Sequence, residues 1–169
     1  MTALRYDRSL EKDWSIFFGE NLEGDKFLSY SLRSNTDLGS KYFLYSKDND
    51  QDLRYLFLEG GYRLTYEDRV SQPGSTFKAN STSHKGRAGS EASYLWTESF
   101  STKFSIEYLK TFENDHRRQV NAELGAINKL SKVLSFKASY LYNYDSSLRD
   151  QGFAYNASKT LAVSLVANY

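Results

Sequence analysis

Hydrophobic and polar residues alternate along this chain with a period of two, in runs separated by short polar stretches. The clearest run is the last, Ala154–Tyr169. One parity holds Tyr155, Ala157, Lys159, Leu161, Val163, Leu165, Ala167 and Tyr169; the other holds Ala154, Asn156, Ser158, Thr160, Ala162, Ser164, Val166 and Asn168. A strand sends alternate side chains to opposite faces. The segment therefore has one greasy face and one mostly polar face, and it ends on an aromatic residue. That predicts the closing strand of an outer-membrane β-barrel, with lipid outside and a polar lumen inside.

The same alternation predicts eight earlier strands: Thr2–Arg8, Trp14–Leu22, Phe27–Tyr45, Leu53–Glu67, Gly86–Trp96, Thr102–Phe112, Arg118–Ala126 and Lys132–Tyr144. Gly39, inside the third, marks a bulge or close packing. The longest predicted loop, Asp68–Lys85, is rich in Ser, Thr, Gly and Asn and holds the sole proline, Pro73. Runs of about 9–11 residues suit a tilted membrane crossing, and their regular spacing suits a meander. No helical pattern emerges. The expected fold is all-β: an antiparallel meander of nine strands forming part of a transmembrane outer-membrane β-barrel, in one domain over residues 1–169.

Composition narrows the partners. A net charge of +1 with 25% charged residues offers no bulk attraction for nucleic acid. With no cysteine, disulfides and thiolate metal sites are excluded. No phosphate loop or zinc spacing occurs, and no cofactor is implied. No run of about 18 apolar residues exists to form a membrane helix, and the N-terminus lacks the features of a secretory signal. With short turns periplasmic and long loops outside, counting back from Tyr169 puts Met1 on the extracellular side. The expectation is that N-terminal strands are missing and that the whole barrel has roughly 10–12 strands.

Several stretches resemble a known family. These are Leu4-Arg5-Tyr6-Asp7, Gly60-Gly61-Tyr62-Arg63-Leu64 with Tyr66-Glu67-Asp68, Leu134 to Tyr140, Tyr144-Asp145-Ser146-Ser147, and Ser164-Leu165-Val166. Together they resemble the salt-induced outer-membrane proteins, a bacterial β-barrel domain family of unknown function. The chain departs from that pattern at Leu148-Arg149-Asp150-Gln151, in place of a proline-containing turn, and at Asn156, in place of Asp. The resemblance implies a cell-envelope location and further strands before Thr2, and it carries no functional residues over.

Two residue sets follow from the parity. Arg5, Asp7, Arg33, Glu59, Arg63, Glu67, Arg87, Glu91, Lys103, Glu107, Glu123 and Lys137 share the inward parity. They form either a constriction that selects solutes or a paired network filling a narrow barrel. Trp14, Tyr62, Tyr66, Tyr94, Trp96, Tyr140, Tyr142, Tyr155 and Tyr169 share the outward parity. They read as aromatic girdles at the lipid–water boundary, or as cross-strand packing in a soluble barrel. Lys159 is an outward charge and belongs near the outer rim.

His84 and His116 are the two histidines, with Ser81, Ser83, Glu113 and Asp115 nearby; that is weak material for a catalytic triad. Lys78, His84, Lys85 and Arg87 are candidates for contact with lipopolysaccharide. Asp48, Asn49, Asp50 and Asp52 lack the glycine and glutamate of a calcium loop. The functional expectation is a non-enzymatic barrel of the bacterial outer membrane with a structural or stress-related role. Its partners would be outer-membrane lipid, lipopolysaccharide and, through the C-terminal strand, the assembly machinery. The alternatives are a passive pore for small solutes and a soluble periplasmic ligand-binding barrel.

Overall fold

The computed structural model describes residues 2–25, 30–46, 54–69, 80–113, 117–131, 133–146 and 155–167. They form nine strands: β1 (Thr2–Ser9), β2 (Trp14–Asp25), β3 (Tyr30–Ser46), β4 (Tyr55–Arg69), β5 (Asn80–Leu95), β6 (Phe100–Thr111), β7 (Arg118–Lys129), β8 (Leu134–Asp145) and β9 (Ala157–Ala167). All belong to one antiparallel sheet in which each strand pairs with the next. Among the described residues β1 and β9 are not paired with each other, so the sheet is an open one.

Three turns at one rim share a single bonding pattern. The amides of Leu10 and Glu11 donate to the Trp14 carbonyl, those of Trp96 and Thr97 to Phe100, and those of Leu130 and Ser131 to Leu134. This is the lower rim; the chain ends of β8 and β9 that flank residues 147–154 mark the upper rim. A hydrogen-bonded row shows how the strands slant between them. It starts at Trp14, the first residue of β2, and passes through Tyr42, Leu58, Ser90, Ile106, Ala122 and Tyr142. It ends at Lys159, the third residue of β9. A row that climbs from one rim to the other is the stagger that curls a sheet.

The sequence places β5 too late. Asn80–Lys85, expected in the long loop, is strand and pairs with Arg63–Asp68 of β4. These residues are polar on both faces, so hydrophobic alternation is silent there, while the β4 backbone still supplies a ladder. In β3 the register shifts between Tyr30 and Leu32 and again between Phe43 and Tyr45, not at Gly39. Gly39 sits directly opposite Gly61. A Cβ on Gly39 would come 2.5 Å from the Gly60 carbonyl oxygen and 2.7 Å from the Phe17 ring. One on Gly61 would collide with the Leu38 carbonyl oxygen and lie 2.8 Å from the Gly39 Cα. Two facing glycines thus permit a sharp fold between β3 and β4.

The polar face is concave. Arg5 connects through Gly19 and Asp37 to Arg63, four residues from Glu59. On a flat sheet Arg5 and Glu59 would stand about 19 Å apart, from strand spacings of ~4.8 Å and a rise of ~3.3 Å. They are instead 2.6 Å apart at their tips. Every buried residue among those described lies on this face, including Phe17, Glu59, Thr65, Leu109 and Ser139. The convex face exposes large apolar side chains on every strand, among them Leu4, Phe18, Leu38, Leu58, Tyr94, Phe104, Leu124, Phe136 and Leu161.

Candidate functional site: a paired charge network on the concave face

Phe17 is the floor of the site. The ring is 3% exposed and lies over side-chain-free Gly39. The Arg5 guanidinium stacks 4.4 Å from its centroid and that of Arg87 lies at 5.4 Å. Both arginines then converge on Glu59: Arg5 Nη2 donates to Oε1 at 2.6 Å and Arg87 Nη1 to Oε2 at 2.7 Å. From there the pairing spreads both ways. Arg5 also holds Asp7 at 2.8 Å, and Lys41 approaches Asp7 at 3.2 Å. Arg87 Nε reaches Glu107 at 2.6 Å, and Arg63 Nη2 reaches the same carboxylate at 3.0 Å. Arg63 closes on Asp37 through two bonds of 2.7 and 2.8 Å.

The resulting chain runs Lys41, Asp7, Arg5, Glu59, Arg87, Glu107, Arg63, Asp37. Cations and anions balance, and β1, β3, β4, β5 and β6 are tied together. Asn121 of β7 adds a bond of 3.0 Å to Glu107. The geometry suits charges drawn out of water, since each carboxylate of the central pair accepts from two guanidinium groups.

The remaining inward-parity residues form satellites. Arg33 pairs with Glu67 at 2.7 Å and Glu23 at 3.1 Å. Lys103 holds Glu91 at 2.9 Å, which also accepts the Tyr55 hydroxyl at 2.6 Å. Lys137 and Glu123 stand 3.6 Å apart. Phe43, Phe57 and Tyr55 pack beside this group, with Lys41 4.8 Å above the Phe57 ring. Parity alone could have nominated Asp37 and Lys41, which alternate with Arg33. Parity also puts Phe17, Phe43 and Phe57 on the polar side, but it gives no reason for aromatic rings there. Beside the network a cavity of about 290 Å³ is bounded by Arg5 of β1 and by Leu141 and Asn143 of β8.

The outward aromatics divide by height. Trp14, Tyr94 and Trp96 gather at the lower rim, where Trp14 meets Tyr42 edge-on at 5.9 Å and Tyr94 meets Trp96 at 4.8 Å. The Trp96 indole N–H donates to Thr102 Oγ1 at 2.9 Å. Tyr66, Tyr142 and Tyr155 stand toward the upper rim, whereas Tyr62 and Tyr140 occupy strand interiors. Tyr169 lies outside the described residues. The convex face turns polar along one line: Glu20 follows Phe18, His84 precedes Gly86, Lys110 follows Tyr108, Arg118 precedes Val120 and Lys159 precedes Leu161. Tyr62 is near that line although it is mid-strand, because β4 continues past it.

His84 is hydrogen-bonded through Nδ1 to the Tyr62 hydroxyl, and its Nε2 lies 4.0 Å from Glu113. Ser81 and Ser83 are on the opposite face of β5, so they do not assemble with His84. His116, Asp115, Lys78 and the acidic stretch 48–52 lie outside the described residues. Lys85 faces the concave side and donates to Gln119 at 3.2 Å, and Arg87 belongs to the central network. Neither stands on the convex side with His84.

Residues 2–169 match the family described as "Protein of unknown function, DUF481". The chain belongs to that family. No curated protein matches it.

Proposed function

We propose that the chain forms the wall of a bacterial outer-membrane β-barrel, with lipid against its convex face and a narrow, charge-filled interior on the other. The sidedness carries this reading: apolar side chains are exposed on the convex face, and ion pairs are gathered on the concave one. A soluble protein rarely keeps so continuous an apolar surface in water. A soluble ligand-binding barrel would turn its apolar side inward. The dimensions agree too. Leu134 to Tyr144 of β8 spans about 33 Å along the strand, or about 23–25 Å once tilted by ~40–45°, close to the ~25 Å apolar band of such barrels. In a membrane the edges of β1 and β9 must be paired.

The role is structural or stress-related, in keeping with the resemblance to salt-induced outer-membrane proteins; the balanced network holds the strands at a fixed curvature. Membrane fractionation, with gel mobility before and after boiling, tests the reading. A heat-modifiable outer-membrane band supports it, and a soluble periplasmic product overturns it. A passive small-solute pore is the second reading. It is favoured by the small side chains Ser101, Ser105, Gly125, Ser135 and Ser139 on the concave face of β6–β8, and by the cavity that Ser105 helps to line. Conductance steps in a planar bilayer would select the pore.

A further inference from the structure

On β6, β7 and β9 the polar line of the convex face is marked by Lys110, Arg118 and Lys159. Lys110 and Arg118 are direct cross-strand partners and both are exposed. Like charges placed directly opposite destabilise a sheet. Among the described residues neither has an acidic partner, and the convex face of β6–β9 carries no acid at all. On β2 the same line carries Glu20, whose carboxylate is occupied by Ser34 at 2.5 Å and Thr36 at 2.6 Å. At this rim the convex face of strands β6–β9 is thus cationic, while Glu113, in the connection after β6, turns toward His84 of β5. Between Arg118 and Lys159, Tyr142 and Tyr144 cover β8, with Tyr142 directly opposite Lys159.

We propose that Lys110, Arg118 and Lys159 form a binding site for the phosphate groups of an anionic lipid in the leaflet at the upper rim. The proposal rests on the membrane-barrel reading and adds a ligand class to it. A phosphate between Lys110 and Arg118 turns their repulsion into two attractions. The guanidinium offers a planar fork for two phosphate oxygens, and the ammonium a mobile point charge. Arg118 is level with residue 146 of β8 and Lys159 with Tyr142; two strand spacings of ~4.8 Å and four residues of ~3.3 Å put them about 16 Å apart, which leaves room for a second phosphate. The Tyr142 and Tyr144 rings suit the headgroup boundary, apolar in body with a hydroxyl to donate.

Native mass spectrometry of the full chain in neutral detergent, titrated with phosphatidic acid and separately with phosphatidylcholine, tests this. Phosphatidic acid is expected to bind preferentially, and less so at high salt. The triple variant K110Q/R118Q/K159Q should lose about a hundredfold in affinity, at roughly fivefold per cation. Arg118→Gln alone should lose about fivefold, which keeps the test decisive if the triple variant does not fold. Arg8→Gln, an exposed cation near the lower rim, should change nothing. Undiminished binding by the variants, or an equal loss in Arg8→Gln, overturns the site. Heat-modifiable mobility of the same samples separates the two readings. A parent chain with no heat-modifiable form overturns barrel and site together, whereas a folded parent indifferent to phosphatidic acid overturns the site alone.

Discussion

Glu59→Gln removes one charge from the centre of the network while keeping its shape. The Glu59 side chain is 4% exposed and accepts from Arg5 and Arg87, with Lys41 3.9 Å away. A glutamine keeps one acceptor oxygen and turns an amide donor toward a guanidinium donor. Breaking a buried pair by removing one partner costs about 3–5 kcal/mol. Two features reduce that here. Arg5 is 40% exposed and retains Asp7, and Arg87 retains Glu107. The expected loss is therefore about 2–3 kcal/mol, near the value of a hydrogen bond to a charged group. Urea unfolding of the refolded chain, followed by fluorescence of Trp14 and Trp96, should show it as a midpoint lowered by about 1–2 M. The double variant with Arg87→Gln should lose less than the sum of the two single ones. If Glu59→Gln unfolds within about 0.5 kcal/mol of the parent, the network is a surface decoration and the argument for its role in curvature fails.

Three further outcomes follow from the packing. Phe17→Ala should cost about 3–5 kcal/mol, since it empties the space over Gly39 and strips both guanidiniums of their ring; thermal unfolding reads it. Gly61→Ala should cost about 1–3 kcal/mol or block folding, because the new methyl meets the β3 backbone, and the folded band on an unboiled gel would fade. On β9, Val163→Lys should cost about 2–4 kcal/mol in a bilayer while Ala162→Lys costs little, because these neighbours face opposite sides. Equal costs in vesicles would mean that the convex face does not meet lipid.

Much of the fold is legible in the sequence because a one-sided strand writes its own period. Leu161, Val163 and Leu165 against Thr160, Ala162 and Ser164 leave no doubt about the two faces of β9. The signal stops where both faces meet water, as at Asn80–Lys85, and there only pairing with β4 keeps the strand. The candidate site is legible to the level of parity and no further. That Arg5 and Glu59 share a face can be counted along the chain. That they touch depends on the bend at Gly39 and Gly61, which the period cannot report. Phe17 is the sharpest case: an aromatic on the polar parity looks misplaced until the missing side chains across from it come into view.

The strands are also unequal in length, and this shapes the upper rim. β3, β4 and β5 have 17, 15 and 16 residues, against 12 in each of β6, β7 and β8 and 11 in β9. The upper rim of the sheet is therefore cut obliquely, like the nib of a quill. Its tall side is a laddered palisade, Asn80–Lys85 on Arg63–Asp68, whose amides should exchange more slowly than those of an unpaired loop. Its low side ends where Lys110, Arg118 and Lys159 stand. In the barrel proposed above, anything arriving from the water would meet a stiff screen on one flank and a low, cationic threshold on the other.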